Sequence, residues 1–284
     1  MASVIERIAD TDVELIVSEG PADAPFLLFL HGIGSSARSF QDQLPFFSDL
    51  YRCEAWNAPG YGQSQPRKYS SMDEYAALVG QLIEQRAPGE RIHLAGVSWG
   101  SVISAKLASS RPELLRSVTL ASTSRGSAPT TGRYDSMRQR ADVVTERGPA
   151  ALYRERRAQM LDAGSADLGE RVLDIATNDI SVEGYLAAAD AMMATDLTDA
   201  LRRIDLPTLL VRGASDRVVT AGETAAVRDA LGRPVEELHI EDAGHLVNQE
   251  AKVRFNEGLL AFLQSVDDEQ APTATPPSPA AVRD

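Results

Sequence analysis

The chain has 284 residues, 43% of them hydrophobic and 24% charged, with a formal net charge of −13 and a single cysteine, Cys53. That length suits one large domain or a core carrying an insertion, and the acidic balance repels phosphate backbones and anionic lipid, so neither nucleic acid nor a membrane is expected as a partner. One cysteine cannot build a disulfide framework or a cysteine-based metal site, no run reaches the roughly 18 apolar residues of a membrane span, and the opening "MASVIERIAD" lacks the apolar stretch of a secretory signal, so a cytoplasmic location is expected.

The first clear element is "VELIVS" (13–18), whose alternation predicts an early strand. "FLLFL" (26–30) is a continuous apolar run, as a strand buried on both faces would be, and it ends at "HGIGSS". "RCEAW" (52–56) predicts a strand leading into the turn "NAPGYGQS". In "MDEYAALVGQLIEQ" (72–85), Tyr75, Leu78, Val79, Leu82 and Ile83 recur at a helical period. Ser71 stands ready to cap that helix, with Glu74 at capping-box spacing. "RIHLAGV" (91–97) is a further buried strand, and "WGSVISAKLASS" (99–110) a helix stopped before Pro112. "SVTLAS" (117–122), "TLLVRG" (208–213) and "VEELHI" (235–240) read as strands, while "TAAVRDAL" (224–231) and "AKVRFNEGLLAFLQ" (251–264) read as helices.

This alternation predicts an α/β fold with a mostly parallel central sheet flanked by helices on both faces. It breaks between about 123 and 204, where four helical stretches and no clear strand predict an all-helical cap insertion. The core is then expected from residues 1–122 and 205–266, with 123–204 as the cap. Residues 267–284, rich in Pro, Ala and Thr, are expected to form a disordered tail.

The chemistry starts at "HLAGVSWGSV" (93–102), where Ser98 lies between Gly96 and Gly100. Two readings compete there: a small-residue turn that lets helix and strand pack closely, or a device that exposes a nucleophile. A strand runs in and a helix runs out, which is the context a strained nucleophile turn requires. A serine hydroxyl needs a base, and the chain has four histidines. His93 and His239 sit inside strand patterns and are expected to be structural. His31 is expected to hydrogen-bond neighbouring loops. His245, in "EDAGHLVNQE", follows the last strand and can reach across the carboxyl ends of the sheet, so it is the expected general base. The base needs an orienting acid, and Asp216 follows "TLLVRG" at the same edge. No rival acid follows "SVTLAS", since Ser122, Thr123 and Ser124 come there. Backbone N–H groups of Ile33 and Trp99 are the candidate oxyanion donors.

"HGIGSS", "NAPGYGQS", "GVSWG", "GASDRVV" and "DAGH" occur in the order and spacing of the α/β-hydrolase superfamily, which the chain resembles over about residues 4–265. The order Ser98, Asp216, His245 is the order of that superfamily. Asn57 departs from it, standing where many members carry an acid. Dehalogenases and epoxide hydrolases of the superfamily use an aspartate at the elbow, so the resemblance with Ser98 implies acyl chemistry. The cap and the segment "GYLAAADAMMATDLTDALRRIDLPTLLVRG" are similar to 3-oxoadipate enol-lactonases. The C–C hydrolases of meta-cleavage products also resemble the chain, although they usually carry a tryptophan where Leu246 stands. The expectation is a serine hydrolase of small esters or lactones that works through an acyl-enzyme on Ser98. It would take a small-molecule substrate and need no cofactor or metal. Alternatives are C–C hydrolysis, a ligand receptor, or a cofactor-free dioxygenase. Among the cap residues Arg138, Arg140, Arg154, Arg156 and Arg157, most are explained by a solvated helix face, and one could pair with a substrate carboxylate.

Overall fold

The computed structural model describes residues 4–8, 10–162 and 166–270. Eight strands form one sheet: β1 (Val4–Ile8), β2 (Val13–Ser18), β3 (Phe26–Leu30), β4 (Arg52–Asn57), β5 (Ile92–Val97), β6 (Leu115–Ala121), β7 (Thr208–Gly213) and β8 (Glu236–Ile240). Their order is β1-β2-β4-β3-β5-β6-β7-β8. The β1–β2 and β2–β4 pairs are antiparallel, and every pair from β4–β3 onward is parallel. Strand β1 lacks a buried stripe: Val4 and Ile5 are exposed at the sheet edge, so alternation does not reveal it.

Ten α-helices accompany the sheet among the described residues: α1 (Leu44–Phe47), α2 (Met72–Arg86), α3 (Trp99–Ser110), α4 (Tyr134–Met160), α5 (Ala166–Asn178), α6 (Val182–Met193), α7 (Thr198–Leu201), α8 (Ala221–Leu231), α9 (Val247–Glu250) and α10 (Lys252–Gln270). The continuous apolar strands are explained by two cores, one on each face of the sheet. Leu28 and Leu30 join Leu94 and Leu120 in the core under α2 and α3. Leu27 and Phe29 point the other way, toward Phe40, Phe47 and the apolar face of α10. Each fully buried Leu or Phe adds about 1.5–3 kcal/mol by leaving water. Helix α2 starts on the expected capping box, with Ser71 accepting from the Glu74 N–H and Glu74 accepting from the Ser71 N–H.

Helices α4 to α7 lie between β6 and β7 in sequence and carry the segment expected to form the cap. Gly148, at φ 78° and ψ 170°, divides α4 into two helical segments, and Pro149 opens the second. The turn 57–64 docks this layer onto the sheet. The Gly62 N–H donates to Asp179 O (2.8 Å), and the Ser181 N–H donates to Gly60 O (3.0 Å). Gly60 has φ +85°, and a Cβ there would stand 2.4 Å from Gly184 Cα on α6, so this joint requires glycine on both sides. Arg38 reaches from the core to Asp174 (2.7 Å) and Asp179 (3.2 Å).

The boundary expected at residue 267 falls inside a helix, because α10 runs to Gln270. Val266 is buried, and the Asp267 carboxylate accepts from Tyr51 Oη (3.2 Å), His93 Nε2 (3.1 Å) and Arg116 Nη1 (3.0 Å). Local composition cannot show those anchors, since they come from three other segments. The rest of the expected tail, 271–284, lies outside the described residues.

Candidate active site

Ser98 lies between β5 and α3 with φ 54° and ψ −114°, a backbone region that a non-glycine residue occupies only under strain. Its flanking glycines answer both readings of the motif. A Cβ on Gly96 would stand 2.4 Å from the Gly100 carbonyl carbon, and one on Gly100 would stand 2.1 Å from Leu30 O. Close packing of β5, α3 and β3 therefore produces the sharp turn that holds Ser98 out at the carboxyl end of the sheet. The Ser98 N–H is fixed by Ala121 O (2.8 Å).

His245 comes from the loop after β8 and Asp216 from the loop after β7. His245 Nδ1 lies 2.9 Å from Asp216 Oδ2, and His245 Nε2 lies 3.0 Å from Ser98 Oγ. A carboxylate only accepts, so Nδ1 carries the proton and Nε2 is left to accept from the Ser98 hydroxyl. Asp216 is buried, and its Oδ1 accepts from the N–H groups of Val218 and Val219, both at 2.8 Å. Burial by itself would raise the Asp216 pKa, but the imidazole and these hydrogen bonds outweigh it and hold the carboxyl below its usual range. The structure thus brings together the three side chains that the sequence singles out.

Ile33 follows Gly32 in the loop after β3 and lines the same cleft as Ser98. Gly32 is close enough that a Cβ there would lie 3.9 Å from Ser98 Oγ. Trp99 is the first residue of α3, so its N–H has no acceptor within the helix. Ile33 therefore stands in the cleft of the serine, and Trp99 directly follows the serine in the chain. The other histidines are occupied elsewhere. His31 Nε2 accepts from the Ala58 N–H (3.1 Å), which places its proton on Nδ1, facing Gly32 O (2.8 Å). Full burial lowers the His31 pKa to about 4, against a smaller opposing effect of the Gly32 bond, so this ring is neutral. His93 is buried between Ser117 and Asp267, and His239 is exposed beside Glu237. Asn57 is buried and structural: its Oδ1 accepts from the Ala37 N–H and its amide donates to Glu14.

Three further residues position His245, and motif reading does not reveal them. Ser122, at φ 47°, donates from Oγ to His245 O (2.9 Å). The His245 N–H donates to Met160 O (2.9 Å), at the end of α4. Glu250 Oε1 accepts from the N–H groups on either side of the histidine, Gly244 and Leu246, both at 3.1 Å. Its Oε2 accepts from the Asp162 N–H (2.6 Å), joining the histidine loop to the segment that follows α4. Ser122 and Met160 are distant in sequence, and Glu250, four residues after Leu246, acts on backbone N–H groups, so no side-chain motif signals them.

The cleft above Ser98 has a volume of about 790 Å³ including its open mouth. The sheet side supplies Ser98, His245 and the loop 32–35, and the helices α4 and α5 with the turn that follows supply an apolar wall that includes Leu152, Met160, Val172 and Ile180. Among the described residues no group of three or more His, Cys, Asp and Glu side chains could hold a metal ion, and no helix is long and apolar enough to cross a membrane.

A family model for the alpha/beta hydrolase fold matches residues 25–251. The 3-oxoadipate enol-lactonase 2 of Acinetobacter baylyi is 25% identical over 249 residues, covering 86% of this chain and 91% of that relative. A non-heme chloroperoxidase of Streptomyces lividans is 28% identical over 262 residues, covering 87% and 94%. The crystal structure of an enol-lactonase from Burkholderia xenovorans superposes with a TM-score of 0.80 at 20% identity, over 92% of this chain and all (100%) of that one. The matched span runs from β3 through the last of the three hydrogen-bonded side chains, and the chain belongs to the alpha/beta hydrolase fold family.

Proposed function

We propose that the protein is a serine hydrolase that cleaves small esters or lactones through an acyl-enzyme on Ser98. The observation that carries this reading is the unbroken line Asp216–His245–Ser98, with links of 2.9 and 3.0 Å, ending in a cleft that also exposes Ile33. In this reading Ser98 Oγ attacks the substrate carbonyl as His245 Nε2 takes its proton. The charged imidazolium is stabilised by Asp216, which keeps its own charge. The N–H groups of Ile33 and Trp99 hold the developing oxyanion, each contributing about 10²–10³ in rate. His245 then returns the proton to the leaving oxygen, leaving an ester on Ser98. Water, deprotonated by the same Nε2, attacks that ester, and collapse of the second tetrahedral state frees the acid and Ser98. For a lactone the leaving oxygen stays tethered, and the product is one ring-opened acid.

The similarity to enol-lactonases supports a compact substrate of this bond type. The mechanism draws every proton and electron pair from the three side chains and water, so it calls on no cofactor. The test is hydrolysis of a short-chain p-nitrophenyl ester by wild type and Ser98→Ala, followed by a panel of lactones. A loss of roughly 10³-fold or more in the variant supports the proposal. Equal rates in the two proteins place the ester activity outside this site and refute it.

A further inference from the structure

Of the six arginines on α4, Arg147 pairs with Glu155, and the other five divide into three groups. Arg138 and Arg154 face solvent, and Arg157 faces Glu170 (3.6 Å). Arg140 and Arg156 turn inward and line the cleft that holds Ser98. Among the described residues they are the only side chains carrying a permanent charge on its lining, which includes no Asp, Glu or Lys. Neither has a carboxylate within 4.0 Å among the described residues, although the chain carries 41 acids against 28 Lys and Arg. Arg156 makes no hydrogen bond among the described residues, and Arg140 makes one long contact, to Ser136 Oγ (3.4 Å). The Nε of Arg140 is buried with no acceptor. Burial, and then mutual repulsion with Arg156, pulls the Arg140 pKa down to about 10, and burial also lowers that of Arg156. Cations held this way, in an acidic chain with carboxylates to spare, are unfavourable without a partner. Tyr185 lies beside both and also lines the cleft.

We propose that Arg140 and Arg156 form a carboxylate clamp under the cap, so that the preferred substrate is an ester or lactone whose acyl portion carries a second, ionised carboxyl group. The inference rests on the hydrolase reading for the reaction, but the clamp itself is a binding site and can be tested apart from it. A guanidinium pair supplies planar, bidentate donors that match a carboxylate. The apolar cap wall accommodates the aliphatic chain, while the reacting carbonyl sits at Ser98 on the core side.

The discriminating pair is p-nitrophenyl hydrogen adipate and p-nitrophenyl hexanoate, which share chain length and leaving group and differ in the terminal carboxylate. The readout is the ratio of kcat/KM for the acid ester to that for the neutral ester, at fixed ionic strength. Wild type is expected to favour the acid ester by about tenfold or more. Arg140→Met and Arg156→Met are each expected to reduce that ratio by about tenfold, and Arg140→Lys to restore part of it. An unchanged ratio in both Met variants, with melting curves showing folded protein, overturns the proposal even if Ser98→Ala abolishes hydrolysis and the hydrolase reading stands. Calorimetric titration with adipate and with 1,6-hexanediol covers the converse case. Adipate binding to Ser98→Ala that is lost in the added Arg140→Met change supports the clamp even if no ester is turned over. Absence of adipate binding to Ser98→Ala, or equal binding of the diol, overturns it.

Discussion

Replacing Glu250 with glutamine tests whether the histidine is held in register through its backbone. One carboxylate accepts three N–H groups: Gly244 and Leu246 on Oε1 at 3.1 Å each, and Asp162 on Oε2 at 2.6 Å. Glutamine keeps one acceptor oxygen, loses the charge, and turns an NH2 group toward at least one of those donors. Hydrogen bonds to a charged group contribute about 1.5–3 kcal/mol each; because the three share one partly buried side chain, a net loss of about 2 kcal/mol is expected. The displaced segment contains His245, whose Nε2 stands 3.0 Å from Ser98 Oγ. A misplacement of about 1 Å can cost on the order of 10² in rate. Glu250→Gln is therefore expected to lower kcat on a p-nitrophenyl ester by about 10- to 100-fold, with KM changed less than about threefold, since Glu250 itself does not line the cleft. Steady-state kinetics and urea denaturation of both proteins provide the measurement. A kcat within twofold of wild type, at unchanged stability, would refute the argument.

Other consequences follow from single contacts. Gly184→Ala would place a Cβ 2.7 Å from Gly60 Cα and O across the joint between α6 and the turn 57–64; overpacking of this kind costs about 1–3 kcal/mol, and an unshifted denaturation midpoint would show that the joint yields freely. Asp216→Asn gives Nδ1 of His245 an amide that can donate, which favours the wrong tautomer, so kcat is expected to fall by about 10³–10⁴-fold with the melting temperature little changed; a loss under tenfold would mean that the acid does not orient the base. His31, neutral and buried, has its pKa lowered from 6.5 to about 4. Below pH 6.5 the unfolded chain takes up a proton that the folded chain refuses, so stability is complete above 6.5 and is lost as pH falls toward 4, by about 3 kcal/mol in all. Urea midpoints at pH 7.5 and 4.5 should show a shallower pH dependence for His31→Gln than for wild type, and parallel behaviour would contradict it.

Most of the framework is legible because its signals are local. "FLLFL" and "HLAGV" are apolar on both faces because β3 and β5 sit between two cores, and the Ser71–Glu74 capping box fixes the start of α2 within one turn. Ser98, Asp216 and His245 are found for a related reason: each follows a strand that ends at the same edge of the sheet. What escapes depends on contacts between distant segments. β1 pairs at an exposed edge and keeps no apolar face. α10 continues past 266 because Asp267 meets Tyr51, His93 and Arg116. Five arginines with similar local sequence are separated only by the rotation of α4 over the cleft, which places Arg140 and Arg156 inside and leaves Arg138 and Arg154 in water. Helical period alone cannot supply that rotation where the segment breaks at Gly148.

The central claim is that Ser98 becomes covalently modified because His245 and Asp216 activate it. Treatment with diethyl p-nitrophenyl phosphate, followed by peptide mass spectrometry, addresses this without knowledge of the substrate. One diethylphosphoryl group per chain is expected, located on Ser98, absent in Ser98→Ala and formed much more slowly in His245→Ala. Modification of another residue, or equal labelling of His245→Ala and wild type, would contradict it.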